Sequence, residues 1–252
     1  MIKESKIMNA FNKFVKKFDM NKGNVKALYF HSLKMMDLCK NIASELGIFS
    51  DEEVLICGIM GLFHDVGMFS NKSKLCHFNN DSNDYSKRSV EIIFNEDKIM
   101  RDITDDTKYD DVIKISIYCH NKNGLPNGLN DRILNFCKVI RDAHTIDNFR
   151  LVINYQYIDM NIDNFPSDVV YNSFKQYCVI SNKMGDNDAD NVLEILSSIF
   201  GINYKNSFVL LKEEESVNKL ISSLKIKNKA IYKFFSQIGA VLNMYIDRKI
   251  VG

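Results

Sequence analysis

The stretch Leu62-Phe63-His64-Asp65-Val66-Gly67 closes the most apolar helix-length segment of the chain. A proton acceptor and a carboxylate stand side by side there, in surroundings where an uncompensated polar group is costly. As a dipeptide the pair says little, since 5 His and 22 Asp in 252 residues give 5 × 22/252, about 0.4 such pairs by chance. Its weight comes from the segments around it.

Upstream, Ser50-Asp51-Glu52-Glu53 has the S-x-x-E form of a capping box, which starts a helix at Asp51 that runs to about Asp65, with Gly67 able to end it. Between those points the segment is apolar nearly all round, and Gly58 and Gly61 allow neighbours to approach closely, the pattern of a central buried helix. His64 and Asp65 therefore fall at its buried end. Further upstream, Val25 to Leu46 carries Leu28, Met35, Leu38, Ile42 and Leu46 on one stripe, with His31 among them and Gly47 as the stop. A short amphipathic helix over 5–20 precedes it.

Downstream, residues 69–83 are polar and turn-rich, a loop. Helical spacing returns over 84–95 and 109–121, where Ile113, Ile117 and His120 share a face, and 121–128 is again a loop. Asn130 or Asp131 caps a helix to about Phe149, with Val139, Asp142 and Ile146 on a common stripe. Residues 166–183, 187–200, 204–222 and 227–248 read as further helices. Period-two alternation is nowhere sustained, so the expected fold is all-α, one domain over 1–252 with a core of about 20–222 and a C-terminal helix of about 227–248.

Composition bounds the rest. A chain of 252 residues, 46% hydrophobic, buries an ordinary core. A net charge of +1 and a pI near 7.6 give no bulk electrostatic case for nucleic acid or an anionic membrane, so any phosphate-bearing ligand needs a local site. The six cysteines, Cys39, Cys57, Cys76, Cys119, Cys137 and Cys178, form no CxxC pair and read as reduced and structural. The N-terminus lacks a signal peptide's apolar region, and the longest apolar run, Val54 to Phe63, is far short of the ~20 residues of a membrane span. A cytoplasmic protein is the expectation.

Three helices thus bring metal-capable groups onto apolar faces: His31, the His64-Asp65 pair, and Asp142. Two buried carboxylates need a compensating cation that neutral imidazoles cannot supply, whereas a divalent metal bound by two His and two Asp uses all four groups at once.

Here the chain resembles the HD-domain metal-dependent phosphohydrolases, whose motif is H…HD…D on a helical core. Beyond the ligands, His120-Asn121-Lys122-Asn123-Gly124-Leu125-Pro126 is similar to the family's HNKY-x-(I/L)-P segment, and Val139 to Asp147 to its IIRDADKLD segment. Residues Ser197 to Phe208 are similar to a pattern near the C-terminus of one bacterial subgroup of HD hydrolases. The resemblance implies an HD-domain helical bundle with added C-terminal helices. It also implies one divalent ion (Mn, Fe, Co, Ni, Zn or Mg) on His31, His64, Asp65 and Asp142. Asp65 helps to position the attacking water, and His120 faces phosphate or a second metal. Arg141 and Lys122 contact the phosphate of a small substrate, a nucleotide for preference. The alternative is a metal-binding HD module without catalysis, serving as nucleotide sensor or protein scaffold.

Three departures stand out. Met68 occupies the place, three residues after the HD pair, where many relatives carry Lys or Arg. Tyr85 stands where the subgroup often has His, which favours one metal over two unless His77 substitutes. His144 and Thr145 replace the usual Asp and Lys beside Asp142. Finally, the apolar segment Ile226 to Ile250 can pack on the domain or on a second subunit, as a homodimer.

Overall fold

The computed structural model describes residues 2–69, 85–122, 124–155, 161–180 and 184–252. Twelve α-helices and no strand occur among them, with one isolated bridge between Asn161 and Lys225, so the chain is all-α. The sequence-predicted loop 69–83 and His77 lie, apart from Phe69, outside the described residues. Two compact units are formed, residues 1–144 and 145–252.

The first unit contains α1 (Glu4–Val15), α2 (Gly23–Leu46), α3 (Asp51–Phe63), α4 (Tyr85–Glu91), α5 (Ile99–Ile103), α6 (Asp110–Cys119) and the first part of α7 (Asp131–Tyr155). α3 is its centre, and every residue from Ile56 to Phe63 is buried. Its start is the expected capping box: the Ser50 hydroxyl accepts from the Glu53 N–H, and the Ser50 N–H donates to Glu53 Oε2 at 2.9 Å. Glu53 does a second job, accepting from Arg132 Nε at 2.9 Å, which ties the start of α3 to the start of α7. The guanidinium of Arg132 also lies over Phe49 and Phe136, so its charge is held between a carboxylate and two rings.

α2 lies against α3 because two glycines remove the side chains that would keep them apart. A Cβ added to Gly61 would stand 2.3 Å from the Met35 carbonyl oxygen, and one at Gly58 2.9 Å from Lys40 Cγ. At the far side of α3, Phe63 meets Phe11 of α1 edge-on with centroids 5.6 Å apart, and Phe69 extends the same cluster to Phe14. After Phe63 the chain passes through His64 and Asp65 into a tight 3₁₀ turn, Val66–Met68. Gly67 is needed there for another reason than stopping a helix. A Cβ on it would be 2.7 Å from the Tyr85 carbonyl oxygen, so glycine lets the turn touch α4.

The second unit holds the rest of α7 with α8 (Asp168–Lys175), α9 (Asp188–Ser197), α10 (Lys205–Glu213), α11 (Ser216–Ser223) and α12 (Lys229–Val251). The expected single helix over 204–222 is two, because Glu215 takes a left-handed conformation (φ 53°) between α10 and α11. α12 is capped by Asn228 and buries Ile231, Phe235, Ile238, Leu242 and Ile246 within this unit. Phe200, Phe208 and Tyr177 pack around Tyr245. Cys39, Cys57, Cys119 and Cys137 are buried free thiols.

Candidate metal centre

His31 sits on the stripe of α2 that faces α3, and its position follows from the Gly61 contact. Met35 is one turn after His31 and Gly61 one turn before His64, so antiparallel helices touching at 35 and 61 bring 31 and 64 together. The two Nε2 atoms are 3.1 Å apart.

His64 is the C-terminal cap of α3 and fully buried. Its Nδ1 lies 2.8 Å from the Gly61 carbonyl oxygen; a carbonyl only accepts, so Nδ1 carries the proton and Nε2 presents a lone pair. The same device recurs at the end of α6. His120 caps that helix, its Nδ1 donates to the Ile117 carbonyl at 2.7 Å, and its Nε2 faces the centre. Arg141 on α7 braces this end, donating through Nη1 to the carbonyl oxygens of Cys119 (2.9 Å) and Lys122 (2.5 Å). The Lys122 ammonium lies 4.9 Å from the centroid of Tyr118.

Asp65 follows His64 directly, and its side chain is only 13% exposed. Its Oδ2 is 3.3 Å from His64 Nε2 and 3.6 Å from His31 Nε2, and its Oδ1 is 3.6 Å from His120 Nε2. Burial works to raise this carboxyl, but the imidazoles of His64, His31 and His120 around it outweigh burial and hold the group well below the ordinary carboxylate range. His120 moves the other way: burial, then the neighbouring His64, lowers it to about 4. His144 is likewise held well below its ordinary value, by burial first and then by His120 and His64. A neutral imidazole at neutral pH is the form that ligates a metal.

The donor set fits a divalent ion. With metal–ligand bonds of about 2.0–2.2 Å, neighbouring donors in octahedral or tetrahedral shells stand roughly 2.8–3.6 Å apart. The edges of the triangle His31 Nε2, His64 Nε2 and Asp65 Oδ2 are 3.1, 3.3 and 3.6 Å. A second group, His64, His120 and His144, shares His64 with the first, its ligand nitrogens all within 4.8 Å of one another. The His144 ring centroid lies 5.0 Å from that of His120 and 5.9 Å from that of His64.

Thus the structure brings together His31, His64, Asp65 and His120 of the residues expected from the sequence. Asp142 is fully buried on α7, and His144, two positions on, lies against His120 and His64. The signal for His144 was present as a histidine in place of the usual Asp. Helical periodicity did not reveal it, because the buried neighbours Cys137, Ile140, Asp142, Ala143 and Ile146 give no sign that half-buried position 144 lies against two histidines.

Residues 28–143 match the family model of the HD domain. No curated protein and no solved structure matches the chain.

Proposed function

Because residues 28–143 match the HD-domain model, we propose that the protein is a metal-dependent phosphohydrolase that hydrolyses a small phosphorylated metabolite, a nucleotide for preference, at the centre formed by His31, His64 and Asp65. The observation that carries this reading is the convergence of two imidazole Nε2 atoms and one carboxylate oxygen within 3.1 to 3.6 Å of each other. A divalent ion bound there supplies a Lewis acid that lowers the pKa of a coordinated water toward 7 and polarises a phosphoryl oxygen.

The protein's own groups do the rest. The proton that His64 Nδ1 gives to the Gly61 carbonyl fixes its tautomer, so Nε2 is aimed without rearrangement. Asp65 offers Oδ2 to the ion and keeps Oδ1 toward His120, where it can accept a proton from the attacking water. His120, its ring fixed by the Ile117 carbonyl and its helix end braced by Arg141, faces the substrate side as a neutral acceptor through Nε2. Arg141 donates to the carbonyls of Cys119 and Lys122 through Nη1 alone, and in this reading its remaining guanidinium N–H groups and Lys122 meet the phosphate together.

Phosphate release from a nucleotide panel, with manganese, cobalt or magnesium added, tests the proposal. Wild type is expected to turn over at least one nucleotide in a metal-dependent way, and Asp65→Ala to lose that activity. Equal activity in both would remove the metal mechanism. Met68, which offers no cation to phosphate, favours the second reading of a binding module; a stoichiometric ion without turnover of any nucleotide would support it.

A further inference from the structure

α4 touches both the turn that follows Asp65 and the end of α6 that presents His120, and it does so through two fully buried serines. Ser89 Oγ accepts from the Gly67 N–H at 2.9 Å, within the 3₁₀ turn that is closed by the Met68 N–H donating to the Asp65 carbonyl oxygen. Ser86 Oγ donates to the Tyr118 carbonyl oxygen at 3.0 Å. The two serines are three residues apart, so they share a face of the helix. Resting on the metal-dependent reading above, we propose that Ser86 and Ser89 are positioning residues of the centre, which set through α4 the gap between Asp65 and His120.

Both contacts meet a backbone need. Gly67 is buried, and its N–H requires an acceptor. The last carbonyls of a helix have no partner within it. At the end of α6 three side chains take three of them in succession: the His120 ring that of Ile117, Ser86 that of Tyr118 and Arg141 that of Cys119. His120 is therefore aimed from a helix end pinned at three points. Asp65 is aimed by its turn, which lies so close to α4 that a Cβ on Gly67 would stand 2.9 Å from the Ser89 nitrogen. A seven-residue helix is too short to hold such positions by itself. α4 runs on into a π-helical turn, Ile92–Glu96, in which Ile92 and Ile93 are buried, and Arg88 Nη2 donates to Glu96 Oε2 at 2.8 Å. So extended, α4 is a strut between the two sides of the centre, and Asp65 Oδ1 faces His120 Nε2 at 3.6 Å across the gap. In the reading above a phosphate stands at this gap, its P–OH toward the His120 acceptor.

Titration of the chelator-treated full chain with cobalt(II), and then with inorganic phosphate, reads the two sides separately through the visible cobalt spectrum. Ser89→Ala acts on Asp65, a ligand, and is expected to lower cobalt affinity about 10- to 100-fold and to change the spectrum. Ser86→Ala acts on His120: cobalt affinity should stay within about threefold of wild type with its spectrum unchanged, while the phosphate concentration that half-saturates the spectral response rises about 10-fold. Ser50→Ala, which loses stability at the far end of α3, should move neither. If either alanine variant does not fold, Ser86→Cys or Ser89→Cys keeps the shape with a weaker hydrogen bond and should show the same change at smaller size. The proposal is overturned if Ser89→Ala keeps the wild-type cobalt affinity and spectrum, if Ser86→Ala keeps the wild-type phosphate response, or if Ser50→Ala reproduces either effect. A wild type that binds no cobalt, or binds it without responding to phosphate, would instead overturn the metal-dependent phosphohydrolase reading, and this inference with it.

Discussion

His64 and His120 solve one problem in the same way at two places. Each ends a helix, turns its ring back onto the carbonyl three residues earlier, and so aims Nε2 inward. A ring that must both cap and ligate has no conservative replacement: His64→Gln retains a polar group but loses the aromatic Nε2, and metal affinity is expected to fall by about 100-fold or more, measurable by competition with a chelator. At this scale the sequence was readable where residue type is decisive. His64-Asp65 stands out because two polar groups end an apolar helix, and His31 because it interrupts an apolar stripe. On α7 the H…HD…D pattern pointed to Asp142, and nothing in it marked His144, two positions on, which lies against His120 and His64.

Helices position the site through contacts that glycine permits. Gly61→Ala would place a Cβ 2.3 Å from the Met35 carbonyl oxygen and 2.9 Å from Cys39 Sγ, so α2 must move off α3. The cost expected is about 1–3 kcal/mol, more than the ~1 kcal/mol that alanine gains over glycine in a helix. Thermal unfolding should report a melting temperature lower by several degrees. Because the same displacement draws His31 from His64, metal affinity should fall as well, whereas an equal loss of stability from Ser50→Ala, about 1 kcal/mol through the α3 cap, should leave affinity unchanged. The element boundaries show the limits of pattern. The capping box at Ser50 and the αL stop at Gly47 were legible because each has a dedicated residue type. The break at Glu215 was not, since a glutamate in a left-handed conformation carries no local signature. Nor was the five-residue α5, too short for a period.

Over the whole molecule, the division at 144/145 separates the metal-capable cluster of the first unit from a second polar feature, in the second unit, with a different consequence. On α9, Glu194 lies one turn beyond Asp190, and its buried Oε1 has no hydrogen-bond partner among the described residues. Burial, and then the charge of Asp190, pushes its carboxyl up to about 7. The folded state therefore holds this proton where the unfolded chain has released it, and stability contributed by the protonated acid is lost as pH rises from about 4.5 to about 7. Glu194→Gln is expected to flatten that slope and to stabilise the protein at pH 8 by on the order of 2–3 kcal/mol, read from denaturant unfolding at several pH values. The all-α class was legible from helical spacing without strand alternation, and no helix among the described residues is long and apolar enough to cross a membrane. The division into two units was not legible, because α7 runs unbroken through it and no change of composition marks the place.

The central claim, that His31, His64 and Asp65 hold a divalent ion, is tested most directly by the metal content of the purified chain after exhaustive dialysis, wild type beside His31→Ala, His64→Ala and Asp65→Ala. About one transition-metal ion per wild-type chain is expected, and little or none in the three variants, with each variant still folded by circular dichroism. Wild type that binds no ion under any divalent metal offered, or variants that retain the wild-type content, would contradict it.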